Sequence, residues 1–351
     1  MRFNKKIKLA NFTISEDSKT FIIAEAGVNH GGSIEVAKKL VDVAVKAGAD
    51  AVKFQAFRTE KLIIENIEKA PYQKNTTSSE ESQADMLRRL ELNVDAYEAL
   101  KKYCDEKGIL FLITPFDEYS LTELEKIGVE AYKIASTDTT NLPFLKKVAK
   151  TGKPIILSTG MCYLDEVRKA MDIVGTVNQD VVLLQCTANY PIKNSEANLN
   201  IIKTYKEEFD ALVGYSDHSV GLGAAPYAVP MGAKVVEKHF TLDKSLEGPD
   251  HTASLSPQEL IKFVKEVRKI EEFLGSSIKE PTESELATRQ SLQKCLVATK
   301  AISKGEKFTE ESFVGKRTGG VGISPLRFSE LIGRNASKDY QENQIIEESL
   351  G

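Results

Sequence analysis

The most constraining feature of this chain is a pattern repeated eight times between residue 21 and about residue 240. A short apolar or β-branched run is followed by a small or polar cluster, then by a segment of helical period. The runs are FIIAEAG (21–27), AVKFQAF (51–57), LFLITPF (110–116), AYKIAS (131–136), PIILSTG (154–160), VVLLQCT (181–187), ALVGYSDH (211–218) and KVVEKHF (234–240). Near-continuous apolar runs of strand length fit parallel strands covered on both faces. SIEVAKKLVDVAVKAGA, LDEVRKAMDIVG and SPQELIKFVKEVRKIEEFLG carry apolar residues at helical spacing, and the last opens with serine, proline and acidic residues as a helix N-terminus does. Eight β/α units in series predict an α/β fold, a (β/α)8 TIM barrel. A doubly wound open sheet is disfavoured, because no glycine-rich dinucleotide fingerprint follows the first run.

The alternation stops near residue 275. We expect a TIM-barrel domain at 1–275, a polar linker at 276–286 and a small domain of short strands and turn glycines at 287–351. A long polar insert, 64–93, follows the second strand. It falls on the face where barrels build their sites, so a substrate lid is one reading. Its composition alone favours a solvated surface loop.

Bulk properties exclude several classes. The net charge of -4 gives no electrostatic reason for a nucleic acid or membrane partner. No apolar stretch reaches bilayer length, and MRFNKKIKLANFTISED shows no secretory pattern. Cys104, Cys162, Cys186 and Cys295 are scattered, which suits a reducing compartment. The expected location is cytoplasmic.

Barrel sites form where strands end. Every run here ends in polar residues: Glu25; Lys53 and Gln55; Thr114; Lys133 and Ser136; Ser158 and Thr159; Thr187; Ser216, Asp217 and His218; and Glu237, Lys238 and His239. Singly, such residues cap helices or snorkel to solvent. Together, two lysines and several hydroxyls suit a small anion, phosphate or carboxylate. The chain has four histidines, and His218 and His239 end the seventh and eighth strands, neighbours in a closed barrel. They predict a divalent-metal site completed by water and substrate; the alternative is a hydrogen-bonded pair that orients loops. Glu25 is read as a general acid or base.

These segments resemble a known family. IIAEAGVNHGGS, KAPYQKNT, ITPFD, YKIAS, PIILSTGM, YSDHS, EKHFTLDKSLEGPDHTASLSP and KRTGGVGISP are similar, in order, to motifs of the sialic acid synthases, which include N-acetylneuraminate, legionaminate and pseudaminate synthases. The resemblance implies a TIM barrel followed by an antifreeze-like (SAF) domain, in a domain-swapped homodimer. It implies condensation of phosphoenolpyruvate with an N-acyl amino sugar, with Mn2+ or Mg2+ on His218 and His239. Lys53, Thr114, Lys133, Ser136, Ser158 and Ser216 would contact phosphoenolpyruvate. Gln55, Tyr190 and Asp250, with Glu25, would serve the sugar or position water. Arg317 would reach the sugar's N-acyl group across the dimer. The chain departs from the family pattern in three places. Asp138 stands where the family carries a glutamate sugar contact, Gln185 precedes Cys186 and Thr187 where a histidine is usual, and Thr318 follows Arg317 in place of proline. On sequence, N-acetylmannosamine ranks narrowly ahead of its 2,4-diacetamido-6-deoxy relative as acceptor. The alternatives are a Schiff-base aldolase using Lys53 or Lys133, and a non-catalytic carbohydrate-binding protein.

Overall fold

The computed structural model describes residues 3–64, 67–77 and 81–350. It divides into two compact units, 1–275 and 276–351. In the first, an antiparallel hairpin of β1 (Lys6–Leu9) and β2 (Phe12–Ser15) precedes eight parallel strands. These are β3 (Phe21–Gly27), β4 (Ala51–Ala56), β5 (Leu110–Pro115), β6 (Tyr132–Ile134), β7 (Ile155–Ser158), β8 (Val181–Cys186), β9 (Leu212–Asp217) and β10 (Val235–His239). They close into a barrel, with β10 paired to β3. This is the expected TIM barrel.

Strand side chains alternate between faces, which here sorts two cores. Ile22, Val52, Phe111, Tyr132, Ile155, Leu183, Val213 and Val236 pack outward against the helices. Phe21, Ile23, Ala51, Leu110, Leu112, Ile156, Val182, Leu184, Leu212 and Val235 fill the barrel, where Ile7, Leu9 and Ile14 of the hairpin join them. The hairpin thus covers the end at which the strands begin.

Helices follow the periodicity read from sequence: Ile34–Ala47, Leu164–Gly175 and Pro257–Leu274 among them. Ser256 accepts the Glu259 amide at 3.3 Å while the Glu259 carboxylate accepts the Ser256 amide at 2.7 Å, so orphan amides at the last helix's start are satisfied reciprocally. None of the described helices is long and apolar enough to cross a membrane.

Two organisational readings need revision. The insert is not simply a solvated loop. Its described parts include helices Pro71–Thr76 and Gln83–Leu90, and Met86 and Leu90 are buried with Val28 and Phe57. Residues 65–66 and 78–80 of the insert lie outside the described residues. The segment expected as a linker, 276–286, carries the first turn of a helix, Glu283–Leu292, every residue of which is exposed. The second unit pairs β11 (Lys294–Ala298) with β12 (Phe313–Arg317) over a core of Leu296, Ile302, Phe308, Leu331, Tyr340 and Ile346.

Candidate active site

The inner alternation that supplies apolar residues at one end of the barrel supplies charges at the other. Phe21 and Ile23 are followed by Glu25, Ala51 by Lys53 and Gln55, Leu112 by Thr114, Ala131 by Lys133, Ile156 by Ser158, Gly214 by Ser216 and His218, and Val235 by Glu237 and His239. A register shift at Glu25/Gly27 accompanies the end of β3. Gly27 has φ +53°, and a Cβ there would come within 3.3 Å of both Glu25 Oε1 and Gln55 Nε2, so glycine lets the chain turn beside these groups.

All these polar residues line a cavity of about 560 Å3, together with Ser136, Tyr190 and Asp250. Glu237 is its electrostatic centre. Its Oε1 lies 3.6 Å from Lys53 Nζ and 3.8 Å from Lys133 Nζ, and accepts the Ser216 hydroxyl at 3.1 Å. Burial raises its affinity for a proton, but Lys133 and Lys53 outweigh that and hold it below the usual carboxylate range. Lys53 Nζ also lies 3.2 Å from Glu25 Oε1 and donates to Thr114 Oγ1 at 3.1 Å. Lys133 Nζ donates to Ser158 Oγ at 2.6 Å, and burial pulls its pKa down. Burial, opposed by Lys53, pushes Glu25 up to about 7, where a carboxyl can hold or release a proton near neutrality. One oxygen each of Glu25 and Glu237 is buried without a hydrogen-bond partner, capacity that a bound molecule can satisfy.

The two strand-end histidines meet. Their ring centroids lie 5.3 Å apart, and the Tyr190 ring lies 4.0 Å from His218 and 5.2 Å from His239. His218 Nδ1 donates to the Thr187 carbonyl at 2.8 Å, which leaves Nε2 as the donor atom for a ligand. Burial drives His239 well below its ordinary value, so the ring is neutral, and its Nδ1 is buried with no hydrogen-bond partner, 3.7 Å from Asp250 Oδ2. Burial raises Asp250 to about 6. Among the described residues no three of His, Cys, Asp or Glu close around one point. The protein therefore offers two imidazole ligands. That donor set fits a divalent cation whose remaining positions take oxygen from water or substrate.

One expected residue, Asp138, lines a neighbouring chamber and not this cavity. It ends a single 3-10 turn, Ser136–Asp138, and lines that chamber with Asp117, Tyr119, Asn141 and Phe144, accepting from Asn141 Nδ2 at 3.0 Å. The two chambers share Leu62, Phe116 and Thr137. Arg317, expected at the sugar's N-acyl group, belongs to the other unit, where it is the exposed last residue of β12, opposite Lys294. Conversely, the sequence shows Glu237 as a strand-end residue and assigns it no role. Its signal was its parity, two residues before His239 on the same inner face.

A closed parallel barrel with charged groups gathered where its strands end is the architecture of a TIM-barrel enzyme. The NeuB family model matches residues 40–279. N,N'-diacetyllegionaminic acid synthase of Campylobacter jejuni is 45% identical over 94% of this chain and 99% of its own. The protein of the same name from Legionella pneumophila is 43% identical over 93% of each chain. A crystal structure described as N-acetylneuraminic acid (sialic acid) synthetase from Leptospira borgpetersenii, in complex with citrate, aligns with a TM-score of 0.74 at 37% identity, covering 83% of this chain and 98% of that one. The chain belongs to the NeuB family and is an enzyme of the N-acetylneuraminate synthase type.

Proposed function

We propose that the enzyme condenses phosphoenolpyruvate with an N-acyl aldose to give a nine-carbon keto-sugar acid and phosphate. The observation that carries this reading is the buried pair of lysines, bridged by Glu237, beside the two histidines. Lys53 and Lys133, with Thr114, Ser136, Ser158 and Ser216, supply the charge and donors for one phosphate and one carboxylate. His218 and His239 would hold Mn2+ or Mg2+, which as a Lewis acid would polarise the acceptor's aldehyde oxygen. Carbon 3 of phosphoenolpyruvate then bonds to the aldehyde carbon. Water adds at carbon 2, and phosphate departs with the bridging oxygen as the carbon–oxygen bond breaks. Glu25, with its proton near neutrality, would take one from the water or give one to the new alkoxide. Fixed, buried charges supply stabilisation without reorganising.

For the acceptor we propose the 2,4-diacetamido-6-deoxy sugar, reversing the order read from sequence. Leu62 and Ile63, with Pro71, Met86, Leu87 and Leu90 of the insert, give the cavity an apolar wall suited to a methyl group. Gln83 lines the same side with Oε1 buried and unpartnered, an acceptor for a second amide N–H. Beyond Lys53 and Lys133, the described lining holds no lysine or arginine for a sugar phosphate. Arg317, which belongs to the other unit, would be supplied to the N-acyl group by a partner chain in a domain-exchanged homodimer. If so, mixing His239→Ala and Arg317→Ala proteins restores activity in heterodimers, and proven heterodimers without recovery would place the arginine elsewhere. Phosphate release from phosphoenolpyruvate tests the main reading, with N-acetylmannosamine, its 6-phosphate and the diacetamido sugar each tried with Mn2+ and with EDTA. The diacetamido sugar should turn over best, the 6-phosphate least, and EDTA should stop all three. No release with any N-acyl aldose would end this reading.

A further inference from the structure

We infer that Asp217 and Lys238 are positioning residues, an external clamp that fixes the separation of His218 and His239. The inference rests on the reading of those histidines as metal ligands. Asp217 precedes His218 and Lys238 precedes His239, so both clamp residues point to the outer face of the strands whose inner face carries the imidazoles. They are partners in the β9–β10 register. Lys238 Nζ lies 3.1 Å from Asp217 Oδ2, and the side chains are 1% and 0% exposed. Neither lines the cavity.

The pair also gathers the segment that leaves β9. Asp217 Oδ2 accepts the amides of Ala224 and Ala225, each at 2.9 Å. Its Oδ1 accepts the Ser219 amide at 2.9 Å and the Ser219 hydroxyl, while Lys238 donates to the Ser219 carbonyl. Gly223, at φ +67°, is where the chain closes on this knot. A Cβ there would stand 2.3 Å from Ser219 Oγ, 2.4 Å from Asp217 Oδ2 and 2.6 Å from Lys238 Nζ. The stretch that begins with His218 is therefore wound around one carboxylate and fastened to the strand that carries His239.

Stability alone gives little reason for such a pair, since a buried ion pair roughly breaks even with apolar residues of the same size. A geometric role does. Two imidazoles from separate strands hold one cation only if their spacing is fixed; groups bonded directly to metal ligands typically govern affinity about 10–100-fold, and this pair would act on both ligands through the backbone next to them.

The test is Mn2+ binding to the full chain, followed by the electron paramagnetic resonance of free Mn2+, with no turnover required. The double variant Asp217→Asn/Lys238→Met removes both charges and leaves neither unpaired. Its Kd for Mn2+ should rise about 10–100-fold with a near-native circular dichroism spectrum. Leu40→Ala, a cavity in the outer core, should lower the melting temperature and leave the Kd unchanged, which separates the clamp from general destabilisation. If the double variant does not fold, Gly223→Ala carries the same expectation. An unchanged Kd in the folded variant overturns the clamp. A wild-type chain that binds no Mn2+ overturns the metal assignment itself, and the clamp with it.

Discussion

The two ends of this barrel are built from the same strands, the same inner positions and nearly the same degree of burial, and their chemistry is opposite. Towards the end where strands begin, Ile23, Leu112 and Ile156 share a core with Ile7, Leu9 and Ile14 of the hairpin. Two residues further along several of the same strands stand Glu25, Thr114 and Ser158, with Lys53, Lys133 and Glu237 at matching depth, each under 5% exposed. The apolar layer favours folding, because burying each such side chain is worth about 1.5–3 kcal/mol. The charged layer costs free energy unless its members are paired, and Glu237 is shared between two lysines without neutralising the whole set. Stability and binding are thus assigned to successive layers of one barrel.

The largest effect should come from the charged layer. Lys133→Met should lower kcat/KM on the order of 10^3-fold, as losing a preorganised charge contact does, with the melting temperature held within a few degrees. A variant that unfolds instead would place stability at both ends. The reverse experiment is Leu112→Ala. It should cost about 2–5 kcal/mol in denaturant unfolding and leave the kcat of the folded enzyme within about twofold. A large fall in kcat at full folding would dissolve the division between layers.

A smaller effect concerns pH. Glu25 sits at about 7 in the folded chain against an ordinary 4.5. Between those values the folded state keeps a proton that the unfolded state has lost. Wild-type stability should therefore fall as pH rises through that window, and Glu25→Gln should escape the loss. Unfolding of both proteins at pH 5 and pH 8 should show a gap that opens by on the order of 1–3 kcal/mol at the higher pH. Parallel behaviour would mean that Glu25 is not a buried, destabilised acid.

Much of this division was legible in the sequence, because a period of two is visible along each run and polar residues punctuate every run's end. The rest was hidden for identifiable reasons. A carboxylate beside an anion site reads as a repulsion in sequence, so the sequence alone gives Glu237 no role; it is the fold that brings both ammonium groups to it. The resemblance puts Asp138 at the sugar, but a 3-10 turn carries it and Ser136, two residues apart, to different sides, and Asp138 lines the neighbouring chamber. The insert's helix Gln83–Leu90 is eight residues long, too short for its apolar face to show as a period among polar neighbours. Arg317 has no signal of its own beyond the resemblance.

The proposed attack of water on carbon 2 of phosphoenolpyruvate, held by the charged layer, is tested most directly by running the reaction in oxygen-18 water. With the diacetamido sugar, phosphoenolpyruvate and Mn2+, the released phosphate should carry no label in its 31P spectrum, because its bridging oxygen leaves with it. Phosphate bearing one atom of oxygen-18 would mean attack at phosphorus, and would contradict the mechanism.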